Sequence, residues 1–167
     1  VWMQCAQPSI VWKYARTMAK SAKRVLLLNG PNLNLLGERE PEVYGTATLA
    51  DHVASATQAA TELGLVIDSV QSNSSSELVN AIHAARSTHD AIVINPGAFT
   101  HYAWSIHDAL AAFRGPVVEV HISNPSTREL WRHESVIAPV ASGTIAGFGG
   151  HGYVLAIQAV ARLLAHK

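Results

Sequence analysis

Cysteine is almost missing from this 167-residue chain. Cys5 stands alone, which excludes an internal disulfide framework and fits a reducing compartment. No apolar run approaches the roughly 20 residues that a membrane span requires; the expected location is cytoplasmic. Charge is sparse, at 14% of residues against 49% apolar, and part of the apolar surface is expected to be buried between subunits. Acids are absent before Glu38, whereas Lys13, Arg16, Lys20, Lys23 and Arg24 all precede it. From Val25 onward seven basic residues face twelve acids, about −5 in all, and such a body is a poor nucleic-acid binder. An anionic small molecule would need a local arginine pocket. Lysine is the most telling absence: past Lys23 only the terminal Lys167 remains. The body thus has no lysine to form a Schiff base with a carbonyl substrate, and carbonyl chemistry would have to pass through an enolate held by hydrogen bonds.

The length suits one domain with a full core and not two. Residues 1–23 read as an N-terminal extension outside the fold: they are acid-free, carry only the short apolar patch Ile10 to Trp12, and end near Met18, a natural start. That patch is too short for a secretory signal. The domain is expected over 24–167.

Within it, strand and helix patterns alternate. Val25 to Leu28 reads as a buried strand and is followed by the long loop Asn29 to Gly45. Thr48 with Asp51 forms a capping-box start for a helix that Gly64 would end. Leu65 to Val70 is the second strand, and Glu77 to Arg86 has helical period, with Ser74 to Ser76 expected to cap it. Asp90 to Asn95 reads as a central strand, apolar on both faces. Thr100 to Phe113 is expected as the third helix and Pro116 to Ile122 as the fourth strand. Arg128 to His133 would make a short helix, Gly143 to Phe148 the fifth strand, and Tyr153 to Ala165 the closing helix. Five strands alternating with helices argue an α/β, three-layer sandwich around a five-stranded parallel sheet with right-handed crossovers. The flavodoxin-like strand order 2-1-3-4-5 is the economical choice.

In such a sheet the carboxyl ends of strands one, three and four converge beside the switch point, where ligands bind. Those ends carry Asn29 to Tyr44, Asn95 to His101, and Glu119 to Ser123. Glu119 and His121 lie two apart in a strand and so point to one face. A carboxylate there can fix the imidazole's tautomer and favour its protonated form, the arrangement for a proton donor. A core histidine satisfied by a nearby acid is the plainer reading of an isolated pair. Tyr44 could act as a base near neutral pH only with a cation beside it, since a phenol ordinarily titrates at about 10; Arg39 is in the same loop. Arg128 and Arg132, four apart, would share a helix face, as in an anion clamp, although a solvated pair is the plainer reading of arginines at that spacing.

Other signals fail on context. Gly147 to Gly152 matches G-x-G-x-x-G, but too little chain remains for a returning strand and no acid follows, so helix packing is the better reading. No phosphate-binding P-loop is present. Response-regulator chemistry needs an acid where strand three ends in Asn95, and the nine histidines lack metal-ligand spacing.

The run Asn29-Gly30-Pro31-Asn32-Leu33-Asn34-Leu35-Leu36-Gly37, continuing through Arg39, Glu40, Pro41, Tyr44 and Gly45, resembles the signature of the type II 3-dehydroquinate dehydratases. The resemblance extends through Gln71-Ser72-Asn73, Ile94 to Ala98, Thr100-His101, Glu119 to Asn124 and Gly147-Phe148-Gly149, over about residues 24 to 165. It implies a flavodoxin-like fold, a dodecamer of four trimers, and dehydration of 3-dehydroquinate to 3-dehydroshikimate with no cofactor and no metal. Tyr44 would take the C2 proton, with Arg39 lowering its pKa and stabilising the transition state. Asn32 would hold a water against the enolate oxygen, and His121, oriented by Glu119, would protonate the departing C1 hydroxyl. Asn95, His101, Ile122, Ser123 and Arg132 match the family's substrate contacts, and Asp108 a position that reaches a neighbouring subunit's site.

The chain departs from the family's pattern at His107, where arginine is common, at Tyr102 to Ile106, at Pro125-Ser126-Thr127 and at Glu134. None of these is the expected acid or base. Two other readings compete: a flavodoxin-like module binding flavin or phosphate, which would purify yellow if flavin were bound, and an imine-forming dehydratase, which borohydride would inactivate with substrate present.

Overall fold

The computed structural model describes residues 22–38, 42 and 45–166. Strand β1 (Lys23–Asn29) is buried from Val25 onward and lies between β2 (Leu65–Gln71) and β3 (Ala91–Asn95). β4 (Val117–His121) and β5 (Gly143–Ala146) complete a parallel sheet of order β2-β1-β3-β4-β5. β3 and β4 are buried at every position, as central parallel strands covered on both faces must be.

Alternate residues of each strand feed two cores. Val25, Leu27, Val93, Val118 and Val120 pack against Ala56, Ala59 and Ala60 of helix α1 (Leu49–Glu62) and against Tyr153, Ala156, Ile157 and Val160 of helix α4 (His151–Ala165). Leu26, Leu28, Ile92 and Ile94 face the other way, onto Leu78, Ile82 and Ala85 of α2 (Ser75–Thr88) and Ile106, Ala109 and Leu110 of α3 (Trp104–Ala111). The period of two in the strands therefore builds the three layers. The chain leads from β1 outward to β2 on one side and from β3 outward to β4 on the other, so the switch point lies between β1 and β3, and a crevice opens at their carboxyl ends.

The helix starts show which local signals were sufficient. Thr48 and Asp51 form the expected capping box: Thr48 Oγ1 accepts from Asp51 N at 3.2 Å, and Asp51 Oδ2 accepts from Thr48 N at 2.8 Å. Gly64, at φ 71°, closes α1. The serines differ from expectation. Ser74 occupies the cap position of α2 without a side-chain bond; Ser72 takes the role, accepting from Ser74 N at 2.9 Å and donating to the Glu77 carboxylate.

Three further boundaries are corrected. β1 begins at Lys23, whose Nζ lies 2.6 Å from Asp90 Oδ1 at the amino end of the sheet, so this lysine is tied away from the crevice. The third helix starts at Trp104 and not Thr100, because residues Gly97–His101 form a 3-10 turn in which Thr100 is turned toward Glu119. Arg128 to His133 is not an α-helix: Arg128 is extended and only Leu130–Arg132 make a 3-10 turn. The glycine run does pack a helix, since a Cβ on Gly150 would meet the His52 ring at 2.1 Å and one on Gly152 would meet Val120 at 3.2 Å.

Gly30 joins the two loops that flank the crevice. Its N–H donates to Asn95 O at 2.7 Å, and a Cβ there would sit 2.3 Å from the Pro96 carbonyl oxygen and 2.6 Å from its carbon. Backbone cannot yield as a side-chain tip can. Gly30→Ala is expected to destabilise the fold by about 2–3 kcal/mol, read as a drop in Tm on thermal melting; an unchanged Tm would show that the loops can part.

Candidate active site

A cleft of about 190 Å³ opens at the carboxyl ends of β1, β3 and β4. Asn32, Asn95, His101, His121, Ile122, Ser123 and Arg132 all line it, so seven residues expected at a site converge. Pro31, Leu33, Leu36, Gly97, Ala98, Pro125, Arg128 and Trp131 complete the wall. No carboxylate and no lysine is among them. Glu119 stands behind His121, fully buried. Asp108 is exposed on α3 and does not line this cleft. Arg39 and Tyr44 lie outside the described residues.

Each wall has a local cause. After β1, Asn32 takes the left-handed conformation at φ 64°, which asparagine tolerates better than most side chains. Its N–H is held by Asn73 Oδ1 at 2.9 Å. After β3, Asn95 is 3% exposed; its Oδ1 accepts from Gly97 N at 3.2 Å and its Nδ2 donates to the Tyr153 hydroxyl at 3.0 Å. His101 Nδ1 donates to the Glu134 carbonyl at 2.7 Å and its ring meets Trp131 edge-on at 5.2 Å. The departure at Glu134 is therefore harmless to His101, since the contact is through backbone. His107 likewise uses Nδ1 to reach the Val136 carbonyl, at 2.6 Å.

The centre of the site is the pair on β4. Glu119 Oε1 accepts from His121 Nε2 at 2.8 Å. The same carboxylate accepts from Thr100 Oγ1 at 2.5 Å, from Ser135 Oγ at 3.0 and 3.2 Å, and from Thr144 Oγ1 at 3.4 Å. Burial alone would push the Glu119 pKa up, but the bonds from His121, Thr100 and Ser135 outweigh it and hold the carboxyl below its usual range. Glu119 is thus an ionised, buried anchor. Ser135 is itself aimed: its Oγ accepts from Ile137 N at 3.0 Å and Ala138 N at 2.8 Å, leaving its hydrogen for the carboxylate.

Charge for an anion comes from the last wall. Arg132 Nε donates to Glu129 Oε2 at 2.8 Å, its guanidinium lies 4.0 Å over the Trp131 ring, and Arg128 Nε lies 3.7 Å from the same carboxylate. The two arginines face the cleft together although no helix face joins them. Trp131, Ser135 and Tyr153 were not expected at the site, because their partners lie too far along the chain to be read locally, and Thr100 was matched only within the Thr100-His101 motif. Among the described residues no cluster of histidine, cysteine, aspartate and glutamate could hold a metal, and no helix is long and apolar enough to cross a membrane.

A doubly wound sheet with a carboxylate-anchored histidine and two arginines at its switch-point crevice defines an α/β protein whose cleft offers groups able to move a proton and to hold an anion. The comparisons narrow this. The model of the class II dehydroquinases matches residues 23–161, and the chain belongs to that family of hydro-lyases. It is 52% identical over 141 residues to the 3-dehydroquinate dehydratase of Desulforudis audaxviator, covering 84% of this chain and 94% of the relative. It is 50% identical over 139 residues to the catabolic 3-dehydroquinase of Aspergillus clavatus, covering 83% and 93%. Among solved structures, the type II dehydroquinase of Propionibacterium acnes superimposes with a TM-score of 0.81 at 45% identity, over 84% of this chain and 97% of that one.

Proposed function

We propose that this chain converts 3-dehydroquinate to 3-dehydroshikimate through an enolate, with no cofactor and no metal. The observation that carries the reading is the Glu119–His121 pair in the wall of a cleft whose described lining offers no lysine and no carboxylate. Because Nε2 is engaged by Glu119, Nδ1 is the nitrogen left to act. Tyr44 takes the proton from C2, and Arg39 of the same loop favours the phenolate. The electron pair moves toward the C3 ketone, and the enolate oxygen is held by a water on Asn32. His121 then gives a proton to the C1 hydroxyl, which leaves as water, and the returning pair forms the C1–C2 double bond. His121 ends neutral in the tautomer that Glu119 already holds.

Asn95, His101, Ile122, Ser123 and Arg132 hold the substrate, and the arginine wall suits its carboxylate and hydroxyls. Asp108 serves a neighbouring subunit's site in a homo-oligomer, a dodecamer arranged as a tetramer of trimers; its exposure away from its own cleft supports that role. The reaction serves the shikimate pathway toward chorismate and the aromatic amino acids in the cytoplasm. Quinate breakdown uses the same step, and one relative is named for it.

The test is direct. Purified protein mixed with 3-dehydroquinate should generate the absorbance of a conjugated enone, and borohydride added with substrate should not trap the enzyme. No absorbance change would overturn the reaction, and borohydride inactivation would overturn the enolate route.

A further inference from the structure

Tyr153 belongs to the closing helix and is fully buried, in the same core as Leu33, Leu36 and Ile122 of the cleft wall. Its hydroxyl donates to Asn29 Oδ1 at 2.8 Å and accepts from Asn95 Nδ2 at 3.0 Å. Asn29 and Asn95 are register partners at the last rung of β1 and β3, so one phenol bridges the two strands at the switch point. A phenol has a single hydrogen. Once that hydrogen is given to Asn29, Tyr153 can only accept from Asn95, and it thereby selects which end of the Asn95 amide turns inward. Gly97 N, donating to Asn95 Oδ1 at 3.2 Å, enforces the same orientation from the other end.

We infer that Tyr153 is a positioning residue for Asn95, holding its amide so that the second Nδ2–H is the group offered to the substrate. The inference rests on the dehydratase reading for the identity of the substrate, but its geometry does not depend on it. The phenol is kept in place by its surroundings. Its ring stacks on His52 of α1 with centroids 5.7 Å apart and planes 11° from parallel. His52 is itself confined by Gly150, where any Cβ would meet the imidazole at 2.1 Å. Its Nε2 is buried without a hydrogen-bond partner among the described residues, so the ring acts as a packing surface and does not compete for the hydroxyl. Burial pushes the Tyr153 phenol well above its ordinary pKa, so it stays a donor and an acceptor throughout the working pH range.

A buried tyrosine that merely filled space would not discriminate binding from turnover. A positioning role predicts a split: Tyr153→Phe should raise KM for 3-dehydroquinate about tenfold, the effect of leaving one buried amide hydrogen unsatisfied. Because the acid pair is untouched, kcat should fall less than about threefold. In an Asn95→Ala background the same substitution should raise KM less than about twofold, because the group being positioned is gone. Equal effects in both backgrounds, or an unmoved KM, would overturn the inference. Should Tyr153→Phe fail to fold, Asn29→Ala supplies the second arm: Asn29 does not line the cleft, yet its loss frees the phenol hydrogen to turn on Asn95 and should also raise KM, and an unchanged KM would overturn the assignment. Wild-type turnover is measured beside both, so a normal wild-type rate with unmoved variants condemns the positioning role alone, whereas an inert wild type condemns the reaction.

Discussion

Replacing His121 by alanine is expected to lower kcat by about three orders of magnitude while the protein stays folded. A positioned general acid contributes roughly 10²- to 10⁴-fold, and the only other histidine in the described wall, His101, has no carboxylate behind it, its Nδ1 being given to the Glu134 carbonyl. The fold should survive because Glu119 is not left stranded. Thr100, Ser135 and Thr144 still donate to its carboxylate after the imidazole is removed, so the cost of a bare buried charge is avoided. KM should move little, since the wall residues that hold substrate are unchanged. Steady-state kinetics beside a thermal melt decide the matter, and added imidazole should restore part of the rate. A variant within tenfold of wild type would remove His121 from the reaction. The companion variant Glu119→Gln tests the anchor. An amide keeps an acceptor for Nε2–H but loses the charge, so kcat should fall by about 10²-fold, less than on losing the ring.

The same pair shows what was legible from sequence and why. Glu119 and His121 could be placed on one face from a spacing of two in an apolar strand, because side-chain direction in a strand is a local property. The capping box at Thr48 and Asp51, and the strand order through β1, β3 and β4, were readable on the same footing: each depends on neighbours within a few residues or on the burial of a whole segment. The groups that hold Glu119 in place were not. Thr100 reads as the start of a helix, and it is drawn into a 3-10 turn by a carboxylate 19 residues further on. Ser135 has no pattern of its own and takes its role from that carboxylate, 16 residues back, and from the turn that follows it. Tyr153 lies 58 residues from Asn95 and 124 from Asn29, and in the helical pattern it is one more apolar position. Arg128 and Arg132 show the opposite failure. Their spacing suggested a shared helix face, the chain is extended at Arg128, and the two guanidiniums nevertheless meet at the cleft because Glu129 draws both. Local spacing singled out two arginines that do line the cleft, but through a helix face that the structure does not contain.

Tyr44→Phe should abolish nearly as much activity, about 10³-fold in kcat, and the case for it is the role that the resemblance implies for the loop after β1. Enolate formation needs a base, and the described lining of the cleft contains neither a carboxylate nor a lysine. Glu119 is buried behind His121 and engaged by its own donors. The loop that follows β1 carries Tyr44 and Arg39, the groups the resemblance assigns to proton removal, and both lie outside the described residues. At neutral pH an ordinary phenol is about one part in a thousand ionised, so the tyrosine can serve as a base only if the guanidinium shifts that balance. This gives a second reading from a second variant. With Arg39→Ala the phenolate fraction falls at neutral pH and recovers as pH rises, so kcat should be depressed near pH 7 and climb tenfold per unit toward about 10, whereas Tyr44→Phe should stay flat and low across the same range. The sign follows from the charge: a cation favours the ionised phenol, and removing it moves the rise to higher pH. If Arg39→Ala showed the wild-type profile at reduced height, arginine would be holding substrate and not tuning the base. If Tyr44→Phe kept near-wild-type turnover, another group would be the base, and His101, the other histidine of the described wall, would be the first to test: His101→Ala would then carry the loss.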